Sequence, residues 1–189
     1  MKKTFMGLVA ISSLFIISCN SSETDSTDSK KQAETQNEQK FDDTKMENDA
    51  EFVTDVADGG MLEVKLGDLA QTNSTNAQVK DLGMMLKNEH AKANAELAAA
   101  AQKNNVTVAT DISNDSKKKY DDLAAKKGAD FDKDYTALLK DAHAKTIEKL
   151  EKEIADGKNA DIKAWATATL PVIKNHNQMI LKVHDDIRK

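Results

Sequence analysis

Four ionisable side chains, Glu63, His90, His143 and His176, have the types and spacing to do chemistry in this chain. Each interrupts apolar residues that recur at steps of three and four: Glu63 between Gly60 and Leu66, His90 between Leu86 and Ala93, His143 between Leu139 and Ile147, His176 between Val172 or Ile173 and Ile180. One carboxylate and three imidazoles make an ordinary ligand shell for one transition ion such as zinc, iron or manganese. The same groups could instead satisfy one another as a metal-free polar layer, because a buried carboxylate needs donors and imidazole N–H groups supply them. A dinuclear oxidase centre is disfavoured. The residues three before the histidines are Lys87, Lys140 and Ile173, not the glutamates of paired Glu-x-x-His motifs. No Ser/His/Asp order, phosphate loop or Cys/His zinc spacing occurs, so no catalytic residue is named. His184, two turns beyond His176 and near the chain end, is expected to be peripheral. Lys87-Asn88-Glu89-His90-Ala91-Lys92 and Lys140-Asp141-Ala142-His143-Ala144-Lys145 share a Lys-x-x-His-Ala-Lys pattern. Glu89 and Asp141 lie about 100° or more around the helix from their histidines, and are expected to face solvent beside Lys92 and Lys145.

To position these four groups the chain needs four rods. The apolar periodicity predicts helices over 49–72, 76–103, 129–156 and 160–187, with a short helical piece over 115–126. The Asn73-Ser74-Thr75-Asn76 cluster and Gly157 with Asn159 supply two short breaks, each making an antiparallel hairpin. The middle connection, about 25 residues long with its own short helix, can travel the length of the bundle and leave the second and third long helices parallel. The expected fold is therefore all-α, a ferritin-like four-helix bundle with a long crossover, favoured over an up-down-up-down arrangement. In that topology His90 and His143 each lie about 14 residues into their helices, and Glu63 and His176 fall within about a turn of the same height. Two local oddities accompany the set. Pro171 inside the last helix predicts a kink, and Gly59-Gly60 predicts either close approach of a neighbouring helix or a bulge that re-aims Glu63.

Composition agrees with this architecture. One proline, seven glycines and 4% aromatic residues in 189 argue against a sandwich or barrel. A formal charge of −5 gives no basic footprint for nucleic acid. The N-terminal residues read as an export signal: Lys2 and Lys3 precede an apolar stretch from Phe5 to Ile17, shorter than the roughly 20 residues of a membrane span. The stretch ends in Ser18-Cys19, with the single cysteine of the chain at the expected cleavage point, which resembles the lipobox of bacterial lipoproteins. The likeness implies a signal peptide over 1–18 and lipidation of Cys19, which would hold the protein to a membrane. Residues 20–48 are almost wholly polar and are expected to form a disordered tether, leaving 49–189 as the bundle domain.

The ordered set Phe52…Gly59-Gly60-Met61-Leu62-Glu63, Asn88-Glu89-His90, Phe131-Asp132-Lys133-Asp134-Tyr135…His143 and Leu170-Pro171…His176 resembles the family called domain of unknown function 4142, over about Asp49 to Val183. The resemblance implies a ferritin-like bundle in secreted or lipid-anchored bacterial proteins, with a glutamate and three histidines matched here by Glu63, His90, His143 and His176. It names no reaction. A lipoprotein version with such a tether looks like one from a Gram-negative bacterium. The sequence thus points to an envelope protein, on the outer membrane or facing the periplasm, that binds or senses one metal ion without turnover. The competing expectation is a structural or protein-interaction module with a metal-free core layer.

Overall fold

A computed structural model describes residues 28–42 and 46–188, so the segment read as an export signal and Cys19 lie outside the described residues. Six helices occupy the described chain: α1 (Ser29–Phe41), α2 (Glu47–Asn73), α3 (Ala77–Lys103), α4 (Asn114–Ala124), α5 (Gly128–Asp156) and α6 (Ala160–Asp186). The last five fall within two residues of the spans that the apolar periodicity predicts. Their starts are set by local chemistry: the side chains of Asn76, Ser113 and Asn159 accept hydrogen bonds from the otherwise unpaired first amides of α3, α4 and α6. Gly128, at φ +56°, makes the left-handed turn into α5 that a side chain would resist.

Contacts at the two ends establish the topology. At one end, the buried Asp49 carboxylate near the start of α2 accepts the amides of Lys158 and Asn159 in the α5–α6 turn at 2.5–3.1 Å. Asn104, at the end of α3, bonds Asp161 and Asn159 there. At the opposite end, Asn73 of α2 donates to the carbonyls of Ala124 and Lys126 beside the start of α5. The C-termini of α3 and α5 therefore share an end. These two helices run parallel, and residues 104–127 cross the length of the bundle as the sequence predicts. Asp58 of α2 secures that crossover by accepting from the Ser113 amide and from the hydroxyls of Ser113 and Ser116.

The core divides in two. One apolar cluster holds Phe52, Val53, Leu97, Leu150, Ile162 and Trp165; the other holds Leu66, Leu82, Leu86, Phe131, Tyr135, Leu139 and Ile180. Between them lie Glu63, His90, His143 and His176, all buried. The helix pair α2–α3 is drawn close by Gly67 and Gly83: a Cβ on Gly67 would stand 2.5 Å from the Gly83 carbonyl. Of the two glycines singled out in the sequence, Gly60 faces the Asn94 side chain of α3 at equally close range, whereas Gly59 faces open space. Close approach is thus the role of Gly60. The alternative, a bulge, is absent, because α2 is α-helical throughout. Helix α6 likewise continues through Pro171.

The tether expected over 20–48 needs correction where the structure describes it. Residues Ser29–Phe41 form α1, which packs on α2 and the crossover. Only Ala33 and Asn37 of this helix are buried, so the sparse apolar content that suggests disorder is real. Polar contacts hold the helix instead. The Asn37 amide donates to the Thr107 carbonyl at 2.9 Å and accepts the Thr107 amide at 2.7 Å. Asp28 accepts the amides of Lys31 and Asn114, Ser29 bonds the Thr110 and Asp111 amides, and Lys30 pairs with Asp55 at 2.6 Å. A criterion based on buried apolar area does not register a helix docked by hydrogen bonds to a loop 70 or more residues away.

Candidate metal centre

Each long helix delivers one group to the layer between the two apolar clusters. Glu63 comes from α2, His90 from α3, His143 from α5 and His176 from α6. Because α3 and α5 run parallel and their histidines lie at similar depths from the helix starts, the rings arrive at one height. Ring centroids are 5.5 Å apart for His90 and His143, 5.3 Å for His90 and His176, and 5.6 Å for His143 and His176. All four residues singled out in the sequence are thereby brought together. One ring nitrogen can be taken from each histidine so that all three lie within 4.8 Å of one another. Glu63 closes the set, with Oε2 at 2.7 Å from His90 Nε2 and Oε1 at 3.5 Å from His143 Nδ1.

The hydrogen-bonding pattern is asymmetric. His143 Nδ1 lies 3.1 Å from the Leu139 carbonyl, which can only accept, so this nitrogen carries the proton and Nε2 does not when the ring is neutral. Nε2 of His143 is buried without a hydrogen-bond partner. His176 is arranged in the opposite sense: Nε2 lies 2.7 Å from Oε2 of Glu89, and Nδ1 is buried and unpartnered. The sequence missed Glu89. Expected to face solvent beside Lys92, it reaches across from α3 to the buried His176, while Lys92 pairs with Glu96. A residue adjacent to a core position lies on the flank of its helix, where a long acidic side chain can reach the next helix; that adjacency was the available signal. Asp141 is exposed, as expected. His184 lies outside the layer, but it is buried rather than peripheral, with Nδ1 at 2.9 Å from the Thr136 hydroxyl and Nε2 at 3.1 Å from Arg188 Nη1.

Electrostatics separate the four groups. Burial acts to raise the Glu63 carboxyl, but the charge and hydrogen bond of His90, with His143, outweigh it and hold it below the usual carboxylate range. Burial opposes protonation of His90, yet the Glu63 charge beside it raises its pKa overall. His143 and His176 are both depressed, first by burial and then by the like charge of the neighbouring rings; for His176 this holds despite the Glu89 hydrogen bond. Glu63 and His90 thus favour each other's charged forms, whereas His143 and His176 are biased toward the neutral form. Neutral imidazole nitrogens and an ionised carboxylate are donors of the kind zinc, iron and manganese accept.

Glu63 also lines a cleft of about 260 Å³ beside α2, α4 and α5, whose walls include apolar Leu62 and Leu139 and residues of both charges, among them Lys119, Lys145, Asp55 and Asp115. Among the described residues, no helix is long and apolar enough to cross a membrane.

Comparison with known proteins places the chain. The family model described as Domain of unknown function (DUF4142) matches residues 30–183, and the chain belongs to that family. The match begins inside α1, in keeping with that helix being part of the folded unit. No curated protein and no solved structure matches.

Proposed function

We propose that this member of the DUF4142 family is an envelope lipoprotein, tethered through Cys19, whose bundle binds one transition metal ion through His90, His143 and His176 with Glu63 as the fourth ligand. The observation that carries this reading is the convergence of three imidazole nitrogens within 4.8 Å in the buried layer, where His143 and His176 each keep a buried nitrogen without a hydrogen-bond partner and His90 faces the Glu63 carboxylate. An ion held at about 2.1 Å by each donor needs them roughly 3.4 Å apart, so uptake draws the rings inward by about an ångström. His143 and His176 already donate their other ring N–H outward, to a carbonyl and a carboxylate, the arrangement in which bundle and sheet proteins alike hold metal-ligating imidazoles. No turnover is assigned; the role is binding or sensing.

Elemental analysis of protein purified without an affinity tag tests the reading. About one equivalent of zinc, iron or manganese per chain, lost in His143→Ala, is the expected result. A second reading rests on the 2.7 Å Glu63–His90 pair, which neutralises two members of the layer without any ion. It makes the protein a structural or interaction module, and it predicts no bound metal and only a lowered melting temperature for His143→Ala.

A further inference from the structure

Among the groups around the layer, Glu89 is the one that approaches it from the helix surface. Its side chain is 46% exposed, and it has no lysine partner among the described residues. Among the described residues its side chain makes one polar contact, which runs inward, 2.7 Å to Nε2 of a histidine that is 1% exposed. A carboxylate only accepts, so a neutral His176 beside it carries its proton on Nε2. The other nitrogen, Nδ1, is then left with a lone pair and with no partner in the interior. His143 reaches the mirror arrangement through the Leu139 carbonyl, which is a fixed part of its own helix. Glu89 does for His176 with a side chain what the backbone does for His143.

We propose that Glu89 is a positioning residue: it fixes His176 as the Nε2–H tautomer and so presents Nδ1 as a ligand to the ion. The proposal rests on the metal reading above, and its first half holds in the metal-free protein as well. Outer partners of this kind change metal affinity by about 10- to 100-fold when removed. A glutamine at the same place can still accept from Nε2–H through its amide oxygen, but its NH2 can also donate to Nε2, so it retains contact with the ring while losing the charge and the acceptor-only character. An alanine leaves both tautomers open.

Long-range ¹H–¹⁵N spectra of the metal-free, full-length chain read the tautomer directly, with four histidines to assign. We expect His176 as Nε2–H in the parent chain and as a mixture in Glu89→Ala, with Glu89→Gln between them. Zinc titrations of the same three proteins are expected to show affinity reduced about 10- to 100-fold in Glu89→Ala and less reduced in Glu89→Gln. His176 found as Nδ1–H in the parent chain overturns the proposal. So does a Glu89→Ala variant with unchanged tautomer and affinity. If the parent chain binds no zinc at all, the metal reading falls separately, and the tautomer spectra still decide what Glu89 does.

Discussion

Two glycines eight residues apart in α2 should respond to the same substitution in opposite directions. Replacing a glycine in a helix interior by alanine gains about 1 kcal/mol from the backbone entropy the unfolded chain no longer has to lose. At Gly59 nothing lies within 4 Å of the added methyl, so the full gain should appear. At Gly67 the methyl would meet the Gly83 carbonyl at 2.5 Å and Lys87 Cβ at 2.6 Å, against 3.4–4 Å for ordinary contact. The carbonyl belongs to the α3 backbone and cannot swing aside, so the helices must part by about an ångström, an overpacking that costs roughly 1–3 kcal/mol. Set against the helix gain, Gly67→Ala should be destabilising by up to about 2 kcal/mol, and the two variants should differ by about 1–3 kcal/mol. Urea unfolding with the m-value checked for constancy measures the difference, and melting temperatures should diverge by several degrees. The consequence reaches the site, because Gly67 lies one turn from Glu63 and a wider α2–α3 gap stretches the Glu63–His90 contact. Equal stabilisation by the two alanines would refute the claim that α2 and α3 touch backbone to backbone.

Other expectations follow from single contacts. Burial, with the Asp49 charge, raises the Glu153 carboxyl to about 7 from an ordinary 4.5. In that window the folded chain holds a proton that the unfolded chain has released, so stability should fall as pH rises from about 4.5 to 7 and level off above it. A Glu153→Gln variant should lack this slope, and a constant difference in urea midpoint between the two proteins across the window would contradict the assignment. Asn37→Ala removes both bonds to Thr107 and should cost about 1–3 kcal/mol locally. Hydrogen exchange should then quicken in α1 and residues 105–112 while the amides of α3 and α5 stay protected. Cys19→Ser should release the chain from the membrane fraction and abolish metabolic labelling with fatty acid, whereas retention of both would remove the anchor.

How far the sequence reveals this molecule depends on which physical term decides each part. The long helices are legible because burying an apolar stripe leaves a period, and that period marks Glu63, His90, His143 and His176 as exceptions within it. Their common height is legible too, since the crossover must be long enough to make α3 and α5 parallel. Helix α1 is not, because its docking is written in polar pairs between residues such as Asn37 and Thr107, whose partners are unknowable before the fold brings them together. Glu89 escapes for a related reason. Its neighbour in sequence is the core histidine of its own helix, but its partner in space is the histidine of another.

The layer itself bears on why such a core is kept. An apolar filling would join the two clusters and avoid the cost of burying a carboxylate, so a polar layer needs a reason. Helix register is one, and it asks that every member be satisfied within the layer, since buried polar atoms without partners destabilise a fold. Glu63 and His90 come close to meeting that requirement, with Oε2 and Nε2 2.7 Å apart. His143 and His176 do not. Each is anchored outward by one nitrogen and leaves the other facing the interior with nothing to accept from. Two lone pairs held next to a carboxylate, on rings whose protonation is suppressed by burial, are poorly suited to a layer that only spaces helices. They are what an incoming cation requires.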